Sequence, residues 1–220
     1  MAERLIAIGD IHGCLKAFDT LLNAIAPTKD DVLVPLGDYI DRGPHSKGVI
    51  DRLIELESAC QLKPLLGNHE EMLLRVLYQR AKPSSWLQFG GDTTLESYGF
   101  TGDLAVINQR HRDFLKRCLD YFETDTHFFT HGNYDAYSPL SEQTPRNLRW
   151  IKLSESIPDP HCSGKPAIVG HTPNKEGKIF ELGYLKCIDT YCYGGKWLTA
   201  LDANSGQIWQ ADNQGQLLKP

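Results

Sequence analysis

Leu5-Ile6-Ala7-Ile8-Gly9-Asp10-Ile11-His12-Gly13 is the stretch on which the fold turns. Four apolar residues ended by a glycine read as a short buried strand. A carboxylate and an imidazole, two apart, follow at once. The same order of events recurs twice. Val32-Leu33-Val34-Pro35-Leu36 runs into Gly37-Asp38-Tyr39-Ile40-Asp41-Arg42-Gly43, and Leu62 to Leu66 runs into Gly67-Asn68-His69-Glu70. Between these runs apolar residues return at helical spacing: Leu15, Phe18, Leu21, Leu22 and Ile25 before Pro27, then Val49, Ile50, Leu53, Ile54 and Leu56, then Met72, Leu73, Val76 and Leu77. Three strand–loop–helix units in succession imply parallel strands with right-handed crossovers. Ligands of such sheets gather at the carboxyl ends of the strands, where all three motifs fall.

The segment from Ala81 to Asp103 is less regular and rich in Gly, Ser and Thr. Its aromatics, Trp86, Phe89, Tyr98 and Phe100, are expected to pack beneath a long loop, with an aromatic wall beside the substrate as the alternative. Val106 to Leu119 reads as one helix. Strands dominate the last third: Thr126 to Thr130, Ala167 to Val169, Leu185 to Ile188, Trp197 to Leu201 and Ile208 to Gln210. Asn204-Ser205-Gly206 suits a hairpin turn between the last two. The fold class expected is α/β: a two-sheet β-sandwich flanked by helices in four layers, α/β/β/α. No linker interrupts the chain, so residues 1–220 are expected to form a single catalytic domain.

A net charge of -5 argues against a nucleic-acid binder that relies on a broad basic face. No apolar run approaches the roughly 20 residues needed to cross a bilayer, so no membrane partner is expected. The start, Met1-Ala2-Glu3-Arg4, lacks the features of a signal peptide, which makes the cytoplasm the expected location. Six cysteines without a C-x-x-C pair do not read as a disulfide framework or a zinc-thiolate site. Most are expected to be buried thiols. Cys14 follows the first motif directly, which leaves a reactive thiol open there.

The chemistry lies in the set. Asp10 and His12, at i and i+2 of an extended segment, can face one cation. Asp38, on the neighbouring strand end, can bridge two. Asn68 offers a carbonyl oxygen, and His131 and His171, in Thr130-His131-Gly132 and Gly170-His171-Thr172, offer imidazoles. Mixed carboxylate, carbonyl and imidazole ligation suits two divalent metal ions such as manganese, iron or zinc better than calcium. Two such ions roughly 3.5–4 Å apart lower the pKa of a bridging water and clamp a phosphoryl group for in-line attack. His69, held near the metals but off them, can protonate the leaving oxygen. Asp41 can orient it, and Arg42 presents a planar fork to phosphate. Each residue alone has a plainer reading: a carboxylate after a strand is often a helix N-cap, and a lone histidine is often a hydrogen-bonded core residue. Recurrence of the set, in order, at equivalent strand ends argues against independent coincidence.

At these residues the chain resembles the calcineurin-like metallophosphoesterases. Within them it is similar to the phosphoprotein phosphatase branch, whose pattern is GDxHG, GDxxDRG, GNHE, then His-Gly and Gly-His. All five elements occur in order between Gly9 and His171. Gly90 to Gly99, Pro139 to Gln143 and Ile188-Asp189-Thr190 also resemble segments of short bacterial and phage serine/threonine phosphatases. The resemblance implies Asp10, His12 and Asp38 on one metal, and Asp38, Asn68, His131 and His171 on the other. It implies His69 as proton donor oriented by Asp41, Arg42 on the phosphate, and manganese as the activating ion.

One departure concerns the second phosphate-binding arginine usual in that family. In Leu148-Arg149-Trp150-Ile151-Lys152, Lys152 stands where it is expected, and Arg149 and Arg146 are the substitutes within reach. Lysine keeps the charge and loses the bidentate fork. The activity this implies is hydrolysis of phosphoserine and phosphothreonine, with phosphotyrosine as an extension, on phosphoprotein or phosphopeptide substrates. Symmetrical dinucleoside tetraphosphate hydrolysis is the alternative, because the same core site serves a phosphoanhydride. A metal-dependent phosphopeptide-binding protein without activity is a third reading, against which His69 and Asp41 speak: binding needs no proton donor.

Overall fold

The computed structural model describes residues 4–218; Met1 to Glu3, read above as free of a signal peptide, lie outside the described residues. In chain order the elements are β1 (Leu5–Ile8), α1 (Leu15–Ile25), β2 (Val32–Pro35), α2 (Ser46–Leu56), β3 (Gln61–Leu62), α3 (Asn68–Tyr78), α4 (Pro83–Trp86), α5 (Asp92–Ser97), α6 (Gln109–Lys116), β4 (Tyr121–Glu123), β5 (Phe128–Thr130), α7 (Pro145–Arg149), β6 (Ala167–Val169), β7 (Phe180–Glu181), β8 (Leu185–Cys187), β9 (Trp197–Asp202) and β10 (Ile208–Asp212). They form two five-stranded sheets, ordered β10-β9-β1-β2-β3 and β4-β5-β6-β8-β7. β1, β2 and β3 are parallel, as are β5, β6 and β8; β9 pairs antiparallel with β1 and β10, β4 with β5, and β7 with β8.

Side-chain alternation explains the stacking. Leu5 and Ala7 of β1, with Val32 and Val34 of β2, point one way and meet Phe129 of β5 and Ile168 of β6 between the sheets. Ile6, Ile8 and Leu33 point the other way, onto Phe18, Leu21 and Leu22 of α1 and Val49, Ile50 and Leu53 of α2. Strands buried on both faces are therefore apolar without a break, which is why β1 and β2 read as runs. Phe128, Ala167 and Val169 face outward from the second sheet onto Tyr134, Leu140 and Leu153. That outer layer is mostly loop with the short α7, thinner than a full helical layer.

Several element bounds depart from expectation. β3 is two residues long: Lys63 and Leu65 still donate to the Leu33 and Pro35 carbonyls at 2.8 and 2.9 Å, but Pro35 has no N–H to return, and Leu65 bridges Leu119, whose N–H donates to the Pro64 carbonyl at 2.8 Å. The helix expected from Val106 to Leu119 is confined to α6, because the Asn108 side chain accepts from the His111 N–H at 2.9 Å and caps it there. The segment expected to be irregular is largely helical, bent at Gly90 with φ 99° between α4 and α5. The Asn204–Gly206 turn does join β9 to β10. Cys14, Cys60, Cys187 and Cys192 are buried thiols, and Cys162 is exposed. Among the described residues no helix is long and apolar enough to cross a membrane.

Candidate active site

The loops after β1 and β2 are bonded to each other. The Ile11 and His12 N–H groups both donate to the Asp38 carbonyl, at 3.1 and 2.8 Å, and Gly13 N–H donates to the Tyr39 carbonyl at 2.9 Å. Backbone conformations here are costly: His12, Asp38, Asp41, Arg42 and His171 all have φ between 44° and 71°. Non-glycine residues in the left-handed region cluster where surrounding structure over-determines them, typically at functional sites. His12 at φ 44° also corrects the expectation of an extended Asp10–His12 segment; a tight turn, not strand geometry, brings both into one cavity.

A third loop locks the second. Glu70, in the first turn of α3, is fully buried and takes backbone N–H groups from four residues. Asp38 and Gly67 donate to its Oε2 at 2.9 and 3.0 Å, and Tyr39 and Ile40 to its Oε1 at 2.7 and 3.2 Å. Gly67 is required there, because a Cβ would come within 2.2 Å of Asp38 Oδ1 and 2.6 Å of Glu70 Oε2. On the far side, His171 N–H donates to both carboxylate oxygens of Asp10, at 3.1 and 3.0 Å. A Cβ at Gly170 would meet Asp10 Oδ1 at 2.1 Å.

The ring nitrogens show what the cluster can hold. His12 Nδ1 donates to the Ile40 carbonyl and His131 Nδ1 to the Leu36 carbonyl, each at 2.9 Å. Because carbonyls only accept, the neutral rings carry their lone pairs on Nε2. Those lone pairs face Asp38, at 3.5 Å from His12 and 3.3 Å from His131. His171 Nε2 is engaged by the Trp150 carbonyl at 3.1 Å, which leaves its Nδ1 toward Asn68. The Asn68 amide oxygen lies 3.1 Å from His131 Nε2, acceptor against acceptor; turned over, the amide would donate to Asp38, His131 and His171 instead. Two groups, His12–Asp38–His69 and Asp38–His131–His171, each have donor atoms within 4.8 Å of one another and share Asp38. In the neutral tautomers these buried acceptors converge, a donor set that fits divalent cations, and both groups draw on Asp38.

His69 belongs to the first of these groups, but its Nε2 lies farthest from Asp38 of the three imidazoles that face it, and its other nitrogen is committed to Asp41. Its Nδ1 donates to Asp41 Oδ2 at 2.6 Å, and its Nε2 is 3.8 Å from Asp38 Oδ2. Asp41 is buried and also accepts from Trp86 Nε1 at 2.9 Å and Thr94 Oγ1 at 2.6 Å. Burial works to lower the His69 pKa, but Asp38 and Asp41 together outweigh it and raise it. For His12, burial dominates and, with His69, holds the pKa well below the usual imidazole range.

Asp10, His12, Asp38, Arg42, Asn68, His69, His171 and Lys152 line one cavity of about 470 Å³, with His131 buried behind it. Arg42 is exposed; its guanidinium lies over the Tyr193 ring, donates to the Tyr193 hydroxyl and reaches within 3.4 Å of His69 Nε2. Arg149 is not there, which corrects its expected place on the phosphate. It is buried, with Nε on Glu71 Oε2 at 2.7 Å and a second nitrogen on Asp120, so its charge is already matched inside the protein. Arg146 is exposed and does not line the cavity. Sequence reasoning missed Glu70, Trp86, Thr94, Tyr193, Lys175 and the buried Asp189, whose carboxyl burial pushes up to about 6. Asp189 and Thr94 do fall in segments whose family likeness was visible. Trp86 packs, as expected; Phe89, half exposed and edge-on to His69 at 6.3 Å, supplies the aromatic wall.

Comparison with known proteins agrees. Residues 3–101 match the calcineurin-like phosphoesterase family. The symmetrical bis(5'-nucleosyl)-tetraphosphatase of Acidovorax ebreus is 45% identical over 82 residues, 36% of this chain and 28% of that one. Serine/threonine-protein phosphatase 1 of Salmonella typhimurium is 35% identical over 140 residues, 59% of this chain and 58% of that one. The chain thus spans less than two thirds of the length of these relatives. A crystal structure described as a putative diadenosine tetraphosphatase shares the fold with a TM-score of 0.72 at 21% identity, over 95% of this chain and 93% of that one. Motifs, strand-end cluster and fold coincide: residues 3–101 carry a calcineurin-like metallophosphoesterase domain.

Proposed function

We propose that the protein hydrolyses phosphoserine and phosphothreonine monoesters in polypeptides, with two divalent metal ions held by Asp10, His12, Asp38, Asn68, His131 and His171. Manganese is the ion we assign first. The observation that carries this reading is the buried His69–Asp41 pair at 2.6 Å beside Asp38. An alcohol leaves a phosphate monoester as a strongly basic alkoxide, so a positioned proton donor accelerates its departure. A phosphoanhydride releases a weakly basic phosphate, which gains far less from protonation. A donor braced by Asp41, itself held by Trp86 and Thr94, therefore suits an alcohol leaving group better than a nucleotide.

Two divalent ions held by Asp10, His12, Asp38, Asn68, His131 and His171 would supply Lewis-acid activation of water and neutralise charge on the phosphoryl oxygens. Arg42 engages the remaining phosphate oxygens through its planar fork. His69 Nε2 delivers a proton to the leaving oxygen, and Asp41 keeps the ring oriented on Nδ1. Lys152, in the same cavity, adds positive charge at longer reach than an arginine fork.

A second reading, dinucleoside tetraphosphate hydrolysis, draws on one observation besides the relatives. Lys152 and Lys175 both line the cavity, more positive charge than one monoester needs. Metal-stripped protein reconstituted with manganese decides between them by kcat/KM on a phosphothreonine peptide and on diadenosine tetraphosphate. Preference for the peptide is expected; preference for the dinucleotide would overturn the proposal.

A further inference from the structure

A second pocket, about 250 Å³, adjoins the catalytic cavity. The two share Pro173, and the same two segments wall both: Lys152 and Glu155 face the cavity while Leu153 and Ile157 face the pocket, and Lys175 faces the cavity while Thr172 and Asn174 face the pocket. Both segments leave the metal cluster directly. Pro173 is two residues beyond His171, and Leu153 is three beyond Trp150, whose carbonyl His171 holds.

The pocket is apolar, built from Leu153, Ile157, Pro173, Phe180 and Cys187. Ile157 is 56% exposed at its rim, where it carries the apolar lining out to the surface. Two of the polar atoms on its walls, both acceptors, are already engaged. Thr172 Oγ1 accepts from Leu153 N–H at 2.9 Å, and Asn174 Oδ1 accepts from Glu176 N–H at 3.0 Å. A nucleobase needs hydrogen-bond partners for its edge, and a volume below the roughly 300–1,000 Å³ of small-molecule sites is short of a nucleoside's needs. An aliphatic side chain asks for neither.

We propose that this pocket is a specificity subsite for an aliphatic side chain of the polypeptide substrate, one to three residues from the phosphorylated position. An extended chain advances about 3.3 Å per residue, so a pocket two residues beyond the His171 ligand is within that reach. This rests on the protein-phosphatase reading above. The lysines flanking the shared wall face the catalytic cavity, and the apolar pocket opens on the other side of that wall, so one extended peptide can engage both.

The test uses the manganese-reconstituted chain with two phosphothreonine peptides that differ only in leucine or serine at the flanking positions. The leucine peptide is expected to have about tenfold higher kcat/KM, near the low end of what burying one leucine contributes. Ile157→Asp should abolish that ratio and Ile157→Leu should retain it. Peptides hydrolysed at equal rates, or a preference that survives Ile157→Asp, overturn the subsite while leaving the protein-phosphatase reading intact. If neither peptide turns over but diadenosine tetraphosphate does, the functional reading itself fails and the side-chain subsite fails with it. Sensitivity of that dinucleotide activity to Ile157→Asp would then reassign the pocket to a base.

Discussion

The Arg42 guanidinium donates to the Tyr193 hydroxyl and lies over the same ring, 4.4 Å from its centre. The ring also stands edge-on to His12 at 4.8 Å. An exposed arginine on a left-handed backbone, φ 69°, is thus aimed by an aromatic plate that reaches the metal cluster. Tyr193→Phe keeps the plate and frees one nitrogen. KM for a phosphothreonine peptide is expected to rise about three- to tenfold, the range of an ordinary net hydrogen bond, with kcat little changed. Tyr193→Ala should also lower kcat. Unchanged KM in both variants contradicts the positioning role.

Glu70 fixes the Asp38 loop by accepting N–H groups from four residues. Glu70→Gln places an amide NH₂ against those donors. Manganese affinity, measured by calorimetry, is expected to fall about 10- to 100-fold, as for other residues that orient ligands. Wild-type affinity in this variant would mean that Asp38 is placed by something else.

Asp41 holds His69 and is held in turn by Trp86 and Thr94. Thr94→Val removes the 2.6 Å hydroxyl contact, so kcat on the peptide should drop about tenfold, part of the 10²–10⁴ that a positioned acid supplies, with KM little changed. The loss should be smaller on p-nitrophenyl phosphate, whose leaving group needs less protonation. Equal losses on both substrates would point to general disruption.

Arg149 and Lys152 should separate cleanly. Arg149→Ala removes one of the partners of Glu71, to which Trp150 Nε1 still donates at 3.0 Å and Arg75 still pairs, and is expected to destabilise the fold by about 1–3 kcal/mol, read by urea denaturation. Lys152→Ala should leave the unfolding midpoint alone and raise KM. The reverse pattern would return Arg149 to the phosphate.

A pH signature sits far from the site. Asp31 accepts from Arg4 at 2.6 and 2.8 Å and from Thr28 N–H at 2.6 Å. The Arg4 hydrogen bonds hold its carboxyl well below the usual carboxylate range. A pKa depressed in the folded state stabilises above the unfolded value of about 3.9 and loses that contribution as pH falls through the folded value. Wild type should therefore exceed Asp31→Asn in stability at pH 7, with the gap narrowing below about pH 4. A gap that stays constant down to pH 2 contradicts this.

What the sequence made legible was local. β1 and β2 are apolar runs ended by glycine, and Asp10, His12, Asp38, Asn68 and His69 follow such runs within a few residues. Parts that needed distant partners were not legible. Trp86 and Thr94 reach Asp41 across 45 and 53 positions, and Tyr193 reaches Arg42 across 151. No periodicity encodes such pairings. Arg149 looked free because Glu71 and Asp120, its partners, lie 78 and 29 residues away. The end of β3 was misread because Pro35 has no N–H to return to the third strand: Leu65 still donates to the Pro35 carbonyl at 2.9 Å, but its bridge partner is Leu119, 54 positions on.

The central claim is that His69 protonates an alcohol leaving group. It is tested most directly by kcat of wild type and His69→Asn, both loaded with manganese, on a phosphothreonine peptide and on p-nitrophenyl phosphate. A loss of 10²-fold or more on the peptide, with a clearly smaller loss on the aryl ester, is the predicted result. Equal losses on the two substrates, or little loss on the peptide, would contradict it.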